Sequence, residues 1–337
     1  MPTPYFFPLA AMNPLSRLLS WISPASPADP DTLAGLQRVV EVVDKVFAMT
    51  PGFDEKLAAP VAHALDYCTR LVDALPPPVD IGRRYFAADP LVHAFFASAD
   101  DIGDMLAASA PVRAYLVEPE SHQSDCFFAL MAARRTEKQV LGVAMQHGIV
   151  AADVPQSLLL LSDRALVFPA ADSGAARAAL RAAVFDSLLR TFAGHIELAR
   201  VAYTSLQSER ELERVRLHNR SMDGQADFPS RYIAALDERL RRQFESLQPD
   251  AVIAELAGFL MQPEEALNLE PVQLWVTRAG VIQSDGAHDA DAAAINFMEL
   301  TSRDRRRHAV LPVCIRCDEA REALERAQEV RESMMLI

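Results

Sequence analysis

The strongest chemical signal in the sequence is a cluster of arginines near the C-terminal end. Residues 303–307 read RDRRR, so one aspartate stands among four arginines: Arg303, Arg305, Arg306 and Arg307. Planar guanidinium groups suit phosphate and carboxylate ligands. Such a cluster creates a local positive potential in a chain whose net charge is −13. It therefore predicts a site for a phosphorylated or anionic small molecule. The alternative is a turn between strands whose arginines pair with the protein's own acids.

Two cysteines follow the arginines, Cys314 and Cys317, with two residues between them. This spacing occurs in zinc sites and in thiol redox motifs. One such pair supplies two of the four ligands that zinc requires, and the sequence has no second pair. The redox motif places its first cysteine at the start of a helix, whereas the helix here is expected to begin after Cys317. We therefore predict neither a metal nor a cofactor.

A third group of residues has the types found in hydrolytic triads. The histidine, serine and aspartate side chains in question fall in predicted loops: His122, Ser124, Asp125, His147 and Asp153. The sequence has no Gly-x-Ser-x-Gly nucleophile motif to support catalysis. A hydrolase that uses these loop residues remains an alternative, and no catalytic residue is assigned.

The clearest structural element is a long helix, because no proline interrupts the chain from Gly174 to Arg220. A continuous helix of that length would reach about 70 Å. Apolar side chains alternate at spacings of three and four, as in a coiled-coil seam: Leu189, Phe192, Ile196, Ala199, Tyr203 and Leu206. The seam ends there, since Arg210 and Glu213 occupy the next positions. This interaction helix predicts self-association or a protein partner, and packing inside the protein's own fold is the alternative.

The remaining sequence predicts an α+β protein that is predominantly helical. Apolar residues at helical spacing dominate the first third of the chain, and shorter apolar runs then indicate strands. Two polar stretches, Arg134–Lys138 and Ser162-Asp163, read as turns of a small antiparallel meander. The last third mixes helices with a short antiparallel sheet. The predicted divisions are a flexible N-terminal segment (1–30), a helical domain (31–118), a β-meander (119–172), the long helix (173–225) and a C-terminal mixed α/β domain (226–337).

Composition narrows the class of protein. A net charge of −13 argues against a surface that coats nucleic acid or anionic lipid. No stretch approaches the roughly 20 apolar residues of a spanning helix. The N-terminus lacks the basic region of a signal peptide, and Met12 is an alternative start to Met1. The abundance of alanine, and of arginine over lysine, is typical of a GC-rich bacterial genome.

The function that these features favour is a non-catalytic interaction or scaffold protein of the bacterial cytoplasm. The sequence has only 12 glycines and no glycine-rich loop that would hold a phosphate. The long helix is the element suited to contact with a protein partner or a second copy. A regulatory module that binds an anionic ligand at Arg303–Arg307 and a hydrolase are the two alternatives.

Overall fold

The computed structural model describes residues 29–146, 149–221, 229–283, 291–302 and 306–335. The predicted N-terminal segment 1–30 therefore lies almost wholly outside the described residues. The helices of the described part are α1 (Pro30–Val42), α2 (Phe53–Asp73), α3 (Pro90–Phe95), α4 (Asp100–Ala108), α5 (Ala110–Val117), α6 (Ser173–Ser221), α7 (Pro229–Ser246), α8 (Pro249–Leu260) and α9 (Cys317–Met335). Its strands are β1 (Val79–Ile81), β2 (Cys126–Gln146), β3 (Ile149–Ala170), β4 (Leu267–Val276), β5 (Val281–Gln283), β6 (Ala293–Ser302) and β7 (Arg307–Arg316).

The strands form one mixed sheet in the order β1-β7-β2-β3-β5-β4-β6, and β6 also pairs with β7. β1 runs parallel to β7, and the other pairings are antiparallel. β2 and β3 are a long hairpin whose pairing continues to Gln146 and Ile149. Mixed α+β architecture with helices predominating is thus confirmed.

The arrangement of the strands differs from the predicted one. The sequence indicated a meander and a separate C-terminal sheet, but β2 pairs with β7 along nine residue pairs of a single sheet. The stretch Arg134–Lys138 lies inside β2 instead of in a turn, because Arg135 pairs with Glu137 and with Glu299 of β6. Asp163 lies inside β3, where it adopts a positive φ of 50° beside a register shift in the pairing with β2. Aspartate tolerates that conformation, so the strand bends there without ending.

Two apolar cores lie on the two sides of β7. The first core joins the sheet to α3, α4, α5 and α9, with Phe95, Leu106 and Phe127 among its buried side chains. The second core joins α1, α2, α6 and α8. Side chains of β7 alternate between them: Leu311 belongs to the first core and Val310 to the second. This is the period-two alternation that the sequence of the strand predicts.

The long helix α6 spans Ser173–Ser221, which agrees with the prediction from Gly174 to Arg220. Asp172 caps it, because its Oδ1 accepts a hydrogen bond from the Ala175 amide at 2.8 Å. At 1.5 Å per residue the helix is about 73 Å long. Within the described residues, no helix is both long enough and apolar enough to cross a membrane.

Candidate functional site

The predicted interaction residues of α6 form what we call the inner stripe: Leu189, Phe192, Ile196, Ala199, Tyr203 and Leu206. Its first half is buried in the second core. Phe192 is 2% exposed, and its ring lies 5.5 Å from the ring of Phe259 in α8. Leu189 and Ile196 are buried in the same core. This half of the stripe is therefore covered by the protein itself.

The second half of the inner stripe contacts α7 and is half-buried. Tyr203 packs on Phe244 with 6.2 Å between ring centroids, and Gln243 Nε2 donates a hydrogen bond to the carbonyl of Ala199. The first half of the predicted contact surface is thus buried within the chain, and the second half stays partly exposed. A seam of fewer than three heptads is short enough to be filled by neighbouring helices, here α7 and α8.

After Ile196, α6 pairs with α7 as an antiparallel helical arm, which we define as residues 197–221 of α6 together with α7. Arg210 Nη1 lies 3.4 Å from Asp237 Oδ1, and Arg214 Nη2 lies 3.8 Å from the same oxygen. Glu209 accepts a hydrogen bond from the hydroxyl of Tyr232. These contacts fix the two helices side by side and set which face of α6 points away from α7.

The face of α6 opposite α7 carries a second stripe, which we call the outer stripe: Leu198, Val201, Ser205, Ser208, Leu212 and Val215. Its spacing is 3-4-3-4-3, the repeat of a coiled-coil seam. The four apolar members are exposed: Leu198 to 71%, Val201 to 57%, Leu212 to 51% and Val215 to 52%. Both serines are exposed as well. The two serines interrupt the apolar pattern of this stripe, so the sequence did not predict it as a contact surface, although the heptad spacing of its leucines and valines was a usable signal.

The arginine cluster is described only in part. Arg303 and Arg305 lie outside the described residues. Arg307 Nη1 lies 4.0 Å from Glu299 Oε1, and the backbone carbonyl of Arg306 accepts a hydrogen bond from the Ser302 amide at 3.2 Å. Glu299 also binds Arg135, whose side chain is largely buried. Of the described arginines, Arg307 thus lies near an acid of the protein itself, and the anion site stays a prediction.

Cys314 lies in β7, as the sequence predicts, whereas Cys317 is the first residue of α9 and the helix was expected to begin after it. All four cysteines are free thiols. Burial, together with the neighbouring Cys126, raises the pKa of Cys314 to about 12. Burial also raises the pKa of Cys317. A raised pKa disfavours the thiolate, which is the nucleophilic and metal-binding form. In the described part of the chain, no group of three or more histidine, cysteine or carboxylate side chains could hold a metal ion.

The triad-type residues are not brought together where they are described. His147 lies outside the described residues. His122 and Asp125 precede β2 at the base of the long hairpin, whereas Asp153 lies near its tip, next to the Gly142–Val154 pair. The strand from the base to Gly142 is about 50 Å long at roughly 3.3 Å per residue. Asp153 therefore cannot act on the same substrate atom as His122.

A groove with a volume of about 990 Å³ lies between α3, β3 and the turn from β4 to β5. Arg164 lines it, but its guanidinium donates to the Phe95 carbonyl at 2.9 Å and lies 3.7 Å from Asp101. It also lies over the ring of Phe96 at 5.2 Å. This cation therefore serves to hold α3 and α4 against β3, and the groove is not assigned as a site.

Comparison with known proteins adds no functional information. The chain matches no protein-family model, no curated protein and no solved structure. The outer stripe is consequently the candidate site, because it is the feature whose exposure and spacing together indicate a function.

Proposed function

We propose that this chain is a non-catalytic interaction protein that contacts a protein partner through the outer stripe of its helical arm. The observation that carries the proposal is the exposure of Leu198, Val201, Leu212 and Val215 at heptad spacing on one face of α6. Single exposed leucines and valines are ordinary on protein surfaces. A linear set at coiled-coil spacing is the pattern by which one helix recognises another.

The construction of the arm supports this role. Its base is continuous with a helix whose first half is buried in the second core, so the arm has a fixed anchor. The contacts of Arg210 and Arg214 with Asp237 then hold α6 against α7. A contact surface on a preformed element loses little conformational entropy when it binds. The outer stripe is thus presented in a defined orientation before a partner arrives.

The proposal extends to location: we place the protein in the bacterial cytoplasm. Support comes from the alanine-rich and arginine-rich composition and from the net charge of −13. That charge disfavours general binding to nucleic acid, which leaves protein surfaces as the expected partners of the outer stripe.

The test is the native mass of the protein isolated gently from the cells that make it. We compare the unaltered chain with a variant carrying L198D and L212D, and with V330D as a matched control. Val330 is 54% exposed and lies on α9, away from the arm. We expect added mass on the unaltered chain and on V330D, and its loss from the double variant. An identical mass distribution for all three proteins would contradict the proposal.

A further inference from the structure

We propose that the partner of the outer stripe is a second copy of this chain, bound so that the two α6 helices run antiparallel. This inference rests on the proposed function and names the occupant of the same surface. The observations that carry it are the internal symmetry of the stripe, the size of its central residues and the side chains that flank it.

The outer stripe is symmetric about its midpoint, between Leu206 and Gln207. Counted outward from that point, the two serines come first, then Val201 and Leu212, then Leu198 and Val215. An antiparallel second copy would therefore place Ser205 against Ser208, Val201 against Leu212 and Leu198 against Val215. A two-fold interface requires such self-complementarity, because each surface meets its own reverse.

The central serines are compatible with a buried contact. Ser208 Oγ donates a hydrogen bond to the carbonyl of Thr204 at 3.1 Å, so burying this hydroxyl leaves its donor satisfied. Short side chains at the centre also permit the close approach of two packed helices, whose axes lie about 8–10 Å apart. The polar centre and the apolar ends thus form one continuous seam.

The side chains that flank the stripe fit the same orientation. In an antiparallel pair, each flank faces the same flank of the other helix, running in reverse. Glu197 then faces His218 of the second copy, and Thr204 faces Glu211. On the other flank, Ala202 faces Glu209. No carboxylate faces a carboxylate in this register, which matters in a chain with a net charge of −13, because like charges across an interface oppose binding.

The position of the cores also favours the antiparallel orientation. Ile196 is still buried in the second core, only two residues before the stripe begins at Leu198. Parallel copies would set two cores side by side at the start of the stripe. Antiparallel copies place the cores at opposite ends, with the two α6 helices side by side and each α7 on the far side of its own α6.

The test uses purified full-length protein, with native mass spectrometry and disulfide trapping under copper phenanthroline in air. Val201 and Leu212 lie about 16 Å apart along one helix, so the position of a trapped bond reports the orientation. We expect the unaltered chain to be a dimer, and a mixture of V201C and L212C proteins to form a crosslinked dimer. Each variant alone, and the unaltered chain with its native cysteines, should remain uncrosslinked.

Further variants test how strongly the outer stripe stabilises the dimer. L198D with L212D should weaken the dimer by about 100-fold or more, because it places carboxylates in the apolar seam, whereas V330D should leave it unchanged. Crosslinking of V201C alone would overturn the antiparallel register, and a dimer that survives L198D with L212D would overturn the interface.

The outcomes also separate this inference from the proposed function. If the purified chain is a monomer while the complex in cells still depends on the outer stripe, self-pairing is wrong and the interaction role stands. If the double variant changes neither the purified chain nor the complex in cells, both fail.

Discussion

The inner and outer stripes of α6 have the same spacing and opposite surroundings. Phe192 in the inner stripe is 2% exposed, whereas Leu198 in the outer stripe, six residues further along, is 71% exposed. Heptad spacing shows which side chains share a face of a helix. Whether that face is already covered depends on elements that are distant in the sequence, here α7 and α8. The comparison teaches that the less apolar of two stripes can be the one available to a partner.

The difference between the stripes arises from the length of the helix. The buried residues of α6 in the second core extend only as far as Ile196, but the helix continues to Ser221. Beyond the second core, α7 packs against one face of α6 and leaves the opposite face without a neighbouring helix in the described part of the chain. A two-helix element can bury one side of each helix, so the opposite side of α6 stays in contact with water.

The largest expected effect contrasts the two stripes directly. F192A removes a ring packed on Phe259 and should lower the free energy of unfolding by about 3–5 kcal/mol. L198A should change it by less than about 0.5 kcal/mol, because an exposed side chain loses little on truncation. Urea unfolding of dilute protein measures both. Equal losses would show that the outer stripe is also packed within the single chain.

A smaller effect concerns the anchor of α6 on α1. Arg38 donates hydrogen bonds to both carboxylate oxygens of Asp186, at 2.7 and 2.6 Å, and these bonds lower the pKa of Asp186. The carboxyl is therefore more acidic folded than unfolded, so its contribution is present above its unfolded pKa of about 3.9 and is lost as pH falls through the folded value.

We expect D186N to cost about 1–2 kcal/mol at pH 7 and to flatten the fall in stability below pH ~4. Unfolding free energies measured from pH 7 down to the acid limit test this. D250N alters a largely exposed carboxylate and should leave the acid branch almost unchanged. A D186N curve parallel to that of the unaltered chain would show that the pair does not anchor the helix.

The smallest expected effect lies in the arm. D237N weakens the contacts with Arg210 and Arg214, whose side chains and that of Asp237 are all partly exposed, so global stability should change by less than about 0.5 kcal/mol. The effect on local opening of the arm should be larger than the effect on the free energy of global unfolding. Hydrogen exchange should become faster in residues 201–221 and stay unchanged in α2. Uniform protection in both regions would mean that the arm is held by more than its link to α7.

Much of the fold could be predicted from local patterns. The alternation of Ala309, Leu311, Val313 and Ile315 placed one face of β7 against a core, and the structure buries all four. Ser98 and Asp101, three residues apart at the start of α4, form reciprocal hydrogen bonds. Gly280 lies in the turn between β4 and β5, where its φ is 83°, a conformation that glycine adopts readily. Each of these features depends on neighbours close in the sequence.

The features that could not be predicted depend on distant partners. Arg135 reads as part of a turn because charged residues usually lie outside strands, yet Glu299, 164 residues away, stabilises it inside the sheet. The inner stripe reads as a contact surface because its coverage by Phe244 and Phe259 has no local signature. The anion site at Arg303–Arg307 stays a prediction for Arg303 and Arg305, which lie outside the described residues.

The placement of β7 between the two cores has a consequence for the unfolding of the protein. Leu311 and Val310 are adjacent in the chain but belong to different cores. Unfolding of either core therefore displaces the backbone of β7, which also positions the side chains of the other core. Such coupling makes the two cores one cooperative unit that melts in a single transition. The helical arm shares no such strand, so a change in the pairing of α6 with α7 need not disturb either core.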